Sequence, residues 1–163
     1  MKLKKLLKQI QNLLIKENKT ITCAESCTGG LIASKITSQS GSSSIFNGSI
    51  ITYSNQIKNQ ELQVSLKTIK KYNVVSKEVV KEMLKGVKKK FNSSYAIATS
   101  GIAGPNSDDY INNPVGKVVI GIIYPTNKIK IKIFYFKGDR ISIQKQATKK
   151  AFKMIFKELS KKY

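Results

Sequence analysis

The chain predicts a three-layer α/β/α domain built on a mixed sheet. Two patterns and one bound point there. Strand-like apolar runs interleave with segments of helical period. Towards the C-terminus, Val115–Tyr124 and Lys128–Phe136 flank Pro125-Thr126-Asn127 as a hairpin, which breaks a pure strand–helix–strand repeat and makes the sheet mixed. The 163 residues are 40% hydrophobic and 24% charged, enough apolar content for one ordinary core, and no Pro/Gly-rich linker or internal repeat divides them. A single domain over residues 1–163 is expected.

Taken in order, Leu3, Leu6, Leu7, Ile10, Leu13 and Leu14 recur at helical spacing and predict an amphipathic first helix. Its charge resembles that of a signal peptide, but polar residues interrupt the apolar stretch a secretion signal needs. Thr20–Ala24 reads as a short buried strand, and Gly29-Gly30 opens a helix to about Ile36. A Ser-rich loop, Ser38 to Ser44, leads to a strand at Gly48–Tyr53. Asn55 is expected to cap a short helix to about Gln63, and Ser76 a longer one with Val79, Val80, Met83, Leu84 and Val87 on one face. Tyr95–Thr99 reads as a strand entering the Gly-rich turn Ser100–Pro105. In the hairpin, Lys128, Lys130 and Lys132 alternate with Ile129, Ile131 and Ile133, predicting one solvated and one packed face. The last helix starts near Asp139, with Ile143, Ala147, Ala151, Ile155 and Leu159 at four-residue spacing.

Composition narrows the function. There are 30 Lys plus Arg against 9 Asp plus Glu, a formal charge of +21, and no His. The missing His excludes a Ser-His-Asp triad, a Cys-His pair and a His-ligated zinc site. Of the 30 basic residues 29 are Lys, which reads as a residue bias filling exposed positions rather than a nucleic-acid footprint, where Arg is the favoured contact. The single Arg, Arg140, therefore stands out. Cys23 and Cys27 are too few for a zinc site, and the path between them, a strand end turning into a helix, disfavours a bridge. A cytoplasmic chain with reduced thiols is expected, as no apolar run is long enough to cross a bilayer.

Four segments carry chemistry. The first, Ala24-Glu25-Ser26-Cys27-Thr28-Gly29-Gly30, lies between a strand and a helix, where α/β folds gather ligands and where unpaired N–H groups suit an anion or oxyanion. Ser26 is either a nucleophile or a helix cap; Cys27 is its rival, since a helix start can lower a thiol pKa. Gly29 and Gly30 would let a substrate approach the backbone. The second is Tyr53-Ser54-Asn55-Gln56-Ile57-Lys58. Without His, a serine can be activated by a neutral lysine. Moving a lysine from about 10.4 toward 7–8 takes roughly 4 kcal/mol, of which the helix dipole supplies only about 0.3–1, so burial must supply the rest. A solvated surface lysine is the plain alternative for Lys58. The third, Ser100-Gly101-Ile102-Ala103-Gly104-Pro105, is a shaped loop that either cradles a ligand or merely turns. The fourth, Gly138-Asp139-Arg140, joins an Arg fork to a helix start and suits a phosphate; an Arg–carboxylate structural pair is the alternative.

In this order, AESCTGG, YSNxxK, SGIAGP followed by PVG, and GDR resemble the CinA C-terminal domain family over nearly the whole chain. The resemblance implies a stand-alone domain of that family and a metal-free, cofactor-free amidohydrolase. Its reaction would deamidate nicotinamide mononucleotide to nicotinate mononucleotide and ammonia in pyridine nucleotide salvage. It implies Ser26 as nucleophile, Lys58 as base and Tyr53 beside them. Thr28, Gly29, Gly30, Ser100, Gly101 and Arg140 are the expected substrate-binding residues, with backbone N–H groups near Thr28–Gly30 as the oxyanion site. The expected partners are this small-molecule substrate and a second copy of the chain in a dimer, with no specific nucleic acid and no membrane. A catalytically idle nucleotide-binding or DNA-associated protein is the alternative. Two departures stand out. The family usually has Gly-Gly and a Lys ahead of Pro-Val-Gly, where this chain has Asn106-Ser107-Asp108-Asp109 and Asn113. It often has a second Arg at the position of Gln144.

Overall fold

The computed structural model describes residues 1–107 and 113–162. Five strands form one mixed sheet in the order β2-β1-β3-β4-β5: β1 Ile21–Glu25, β2 Phe46–Ile51, β3 Tyr95–Gly101, β4 Lys117–Ile123 and β5 Ile129–Tyr135. β1 runs parallel to β2 and β3, whereas β3–β4 and β4–β5 are antiparallel. Helices cover both faces. Helices α1 (Leu3–Lys16), α2 (Leu31–Thr37) and α6 (Arg140–Leu159) bury Leu6, Ile10, Ile32, Ala147, Phe152 and Ile155 against Ile21, Cys23, Ile97 and Ile120. On the other face, α3 (Asn55–Leu62), α4 (Leu66–Tyr72) and α5 (Lys77–Phe91) close over Ala24, Ala96, Ala98 and Val119. Consecutive strand residues thus feed opposite cores, as the period of two requires. The predicted three-layer mixed architecture is the observed one.

The caps explain several boundaries. Ser76 and Asp139 cap α5 and α6, their side chains accepting from the N–H groups of Val79 and Ser142. The expected cap of α3 moves by one residue: Ser54, not Asn55, accepts from the Ile57 N–H, and Asn55 becomes the first helical residue. β2 starts two residues before the predicted Gly48 and ends at Ile51, leaving Thr52 and Tyr53 to the following turn. The hairpin also departs from its two-faced reading. Ile129 and Ile131 pack on the α5-side core, but Ile133 is 37% exposed. The lysine face is partly covered by α6, where Lys130 Nζ lies 2.6 Å from Glu158 Oε1 and Lys150 stands over the Phe134 ring. β5 is an edge strand flanked by a long helix, so neither face is fully wet or fully dry. Among the described residues no helix is long and apolar enough to cross a membrane.

The sheet order places three parallel strands side by side, β2, β1 and β3, with their carboxyl ends together. The backbone ladder continues just past those ends: Ser26 N–H donates to the Thr99 carbonyl, and Thr52 N–H to the Glu25 carbonyl. The Ser26 turn and the Thr52–Lys58 turn are thereby clamped next to each other.

Candidate active site

Lys58 sits on the first turns of α3 and its side chain points inward, leaving the residue 1% exposed. Its Nζ lies 3.1 Å from Ser26 Oγ, 2.7 Å from the Thr52 carbonyl and 3.4 Å from the Tyr53 carbonyl. Burial lowers its pKa from 10.5 to about 8. That shift corresponds to about 3 kcal/mol of differential destabilisation of the ammonium; among the described residues no carboxylate offsets it, and Cys27 opposes it only in part. Three oxygens thus surround the amine, two carbonyls and the Ser26 hydroxyl, each accepting from Nζ.

The turn that carries Ser26 is built around a second buried charge, Glu25, which is 0% exposed. Its Oε2 accepts from the Thr28 hydroxyl at 2.6 Å and from the N–H groups of Gly30 and Ile32, both at 3.1 Å. Its Oε1 accepts from the Ala33 N–H at 2.8 Å. The Thr28 hydroxyl is also 2.8 Å from that of Thr99 on β3. Gly30, the formal cap of α2, has no side chain, so a carboxylate five residues upstream supplies the capping oxygens. A carboxylate at the junction of an apolar strand and a helix start is the signal that could have revealed this role.

Glu25 corrects three expectations. The amide of Gly30 is taken by Glu25 and that of Gly29 by the Ser26 carbonyl, so neither is free for an oxyanion. Thr28 is buried in the Glu25–Thr99 cluster, and Thr28, Gly29 and Gly30 are not among the residues lining the cleft. The two glycines serve the turn itself, with φ of +59° and +95°, and a Cβ on Gly30 would stand 3.0 Å from Ile51 Cδ1. Cys27 is not activated by the helix start either. Burial pushes its thiol up to about 12, and the Glu25 carboxylate adds to the rise. Cys23 is likewise raised well above its ordinary value, chiefly by burial, and both thiols are free.

Above this pair opens a cleft of about 430 Å³. Ser26 and Cys27 are at its floor; Val74, Val75, Ile102 and Ala103 give it apolar walls; Tyr53 and Arg140 line it as well. Ser100 and Gly101 are wall residues. The Ser100 hydroxyl donates to the Val74 carbonyl at 2.8 Å, which ties the end of β3 to the loop before α5. Gly101 is required sterically, since a Cβ there would meet the Lys117 carbonyl oxygen at 2.6 Å. Arg140 Nη2 donates to the Tyr53 hydroxyl at 2.6 Å and Nη1 to the Gly104 carbonyl. Among the described residues Arg140 pairs with no carboxylate, and a phenol and a carbonyl hold it instead. Tyr53 itself departs from its expected place beside Lys58: its side chain is 60% exposed and turned to Arg140, and only its main-chain carbonyl reaches the amine. Among the described residues no three Cys, Asp or Glu side chains converge to hold a metal ion.

The profile of the CinA C-terminal domain matches residues 3–159. The chain belongs to the CinA C-terminal domain family. A CinA-like protein of Fervidobacterium nodosum is 46% identical over 146 residues, covering 90% of this chain and 35% of that protein. One of Flavobacterium psychrophilum is 46% identical over 151 residues, 93% of this chain and 36% of that one. The chain thus spans about a third of the length of these curated relatives. Among solved structures, a competence-damaged protein (CinA) superfamily protein of Klebsiella pneumoniae superposes with a TM-score of 0.93 at 28% identity, covering 98% of this chain and 99% of that one. A competence damage-inducible protein A of a second Klebsiella pneumoniae strain gives 0.94 at 28% identity, over 98% of each chain.

Against the CinA pattern, the departures fall in two places. Gln144, expected as an Arg in the family pattern, donates from Nε2 to the Cys27 carbonyl at 2.9 Å and so braces the Ser26 turn from α6. Asn113 is buried, accepts from Lys117 Nζ at 2.8 Å and faces Asn73 Oδ1 at 3.4 Å, below the Val74–Val75 wall. Asn106 lines the cleft and Ser107 follows it, whereas Asp108 and Asp109 lie outside the described residues.

Proposed function

We propose that this domain is a serine–lysine amidohydrolase that deamidates nicotinamide mononucleotide. The observation that carries the reading is the 3.1 Å approach of Ser26 Oγ to an amine that is 1% exposed and depressed to about 8. About a tenth of that lysine is neutral at pH 7. Neutral Lys58 accepts the Ser26 proton as Oγ attacks the carboxamide carbon. The tetrahedral intermediate collapses with the C–N bond breaking, and Lys58 returns the proton to the leaving nitrogen, releasing ammonia. Water, deprotonated by the same amine, then cleaves the ester and frees Ser26.

With the Gly29 and Gly30 amides already engaged, the oxyanion donor in this reading is the N–H of Cys27, the cleft-lining residue that follows the nucleophile. Arg140, the only arginine, takes the substrate phosphate, and the apolar walls take the pyridine ring.

The test is ammonia release from nicotinamide mononucleotide by purified wild type, Ser26→Ala and Cys27→Ala. The reading expects Ser26→Ala to lose the activity and Cys27→Ala to keep most of it. An active Ser26→Ala protein, or a wild type that releases no ammonia, refutes it.

A further inference from the structure

We propose that Tyr53 is a positioning residue for Arg140, and through it a specificity determinant for the anionic group of the substrate, with its phenol taking no part in proton transfer. The inference rests on the nucleotide reading above.

Three observations lead to it. The phenol oxygen lies 2.6 Å from Arg140 Nη2, on a residue that is 60% exposed, while Ser26 and Lys58 are both buried. The contact Tyr53 makes with Lys58 is through its backbone carbonyl, which any residue would supply. Arg140 is held at two points at once, by the Tyr53 hydroxyl from the turn after β2 and by the Gly104 carbonyl from the loop after β3. These anchors come from two different lining segments of the same cleft.

A guanidinium has five N–H groups in a rigid plane. Two anchors fix that plane and leave three donors for oxygens of a phosphate monoester. An arginine at an exposed helix start would otherwise sample many rotamers, and ordering it would weaken binding. A lysine cannot replace it, because one ammonium cannot hold both anchors and still present a planar fork. This accounts for one arginine among 29 lysines.

Tyr53→Phe removes the anchor and keeps the ring, and the exposure of the side chain leaves the fold intact. Steady-state kinetics on nicotinamide mononucleotide and nicotinamide riboside should show KM for the mononucleotide rising about 3- to 10-fold, in line with one hydrogen bond. The kcat, its pH profile and the riboside kinetics should hold. In an Arg140→Lys background, Tyr53→Phe should add nothing further. A fall in kcat on both substrates with a displaced pH profile would put the phenol in proton transfer and overturn the proposal; so would full additivity with Arg140→Lys. Should the wild type release no ammonia, the deamidase reading alone fails. Affinity for inorganic phosphate, titrated by phosphorus NMR, then decides: weakening in Tyr53→Phe, and a double variant no weaker than Arg140→Lys, supports the proposal. No weakening in Tyr53→Phe overturns it.

Discussion

Two turns at the carboxyl ends of neighbouring parallel strands each bury a charged residue, and they treat it in opposite ways. After β1, Glu25 is enclosed by three backbone N–H groups and a hydroxyl, so each carboxylate oxygen has its donors. After β2, Lys58 is enclosed just as fully but meets two carbonyls and a hydroxyl, with no carboxylate partner. The contrast separates scaffold from chemistry. A buried charge with its hydrogen bonds complete holds a turn in one geometry. A buried cation without a counter-charge is pushed toward its neutral form, and a neutral amine is a base. In the serine–lysine reading, Glu25 fixes where Ser26 stands and Lys58 decides what Ser26 can do.

The largest expected effect comes from forcing the second turn to keep its charge. Lys58→Arg retains a cation that cannot deprotonate at working pH. Deamidation should fall about 10²–10⁴-fold, the usual contribution of a general base. In the wild type, turnover should climb tenfold per pH unit below about 8 and level off above it, because only the unprotonated amine accepts the serine proton. Circular dichroism separates this loss from misfolding, and near wild-type turnover by a folded Lys58→Arg protein would remove the asymmetry between the two turns.

A smaller effect is expected from spoiling the first turn. Glu25→Gln keeps the shape but aims an amide NH₂ at backbone N–H groups that need an acceptor. The cost should be about 3 kcal/mol, a melting temperature lower by roughly 6–12 °C in a chain of this size. The Ser26→Ala protein, by contrast, should melt within a degree or two of wild type. A Glu25→Gln protein as stable as wild type would show that the carboxylate is not what holds α2 and the nucleophile turn.

Much of this architecture could be read in the residues themselves. Ser76 and Asp139 announce the starts of α5 and α6, and the spacing of Val79, Met83 and Val87 and of Ile143, Ala147 and Ala151 names their buried faces. The short α4 was silent because seven residues with Ile69 alone packed on the core show no period. The site was legible by motif and illegible by environment. In a chain with 29 lysines nothing local marks Lys58 as the buried one; its burial follows from β2 ending three residues before Ser54, which caps α3 next to the Ser26 turn. For Glu25, the carboxylate bonds to amides up to eight residues ahead, so its capping role emerges only when α2 folds back over it. Tyr53 was misplaced because its backbone and its ring serve different neighbours.

The central claim is that burial without a counter-charge leaves Lys58 close to neutrality beside Ser26. It is tested most directly by titrating the Lys58 side chain itself. Protein labelled with ¹³C at lysine Cε, with the resonance assigned through Lys58→Met, should show a Lys58 midpoint of about 8. A Lys58 midpoint at the ordinary 10.5 would contradict the account, because the amine would then be almost wholly ammonium at neutral pH.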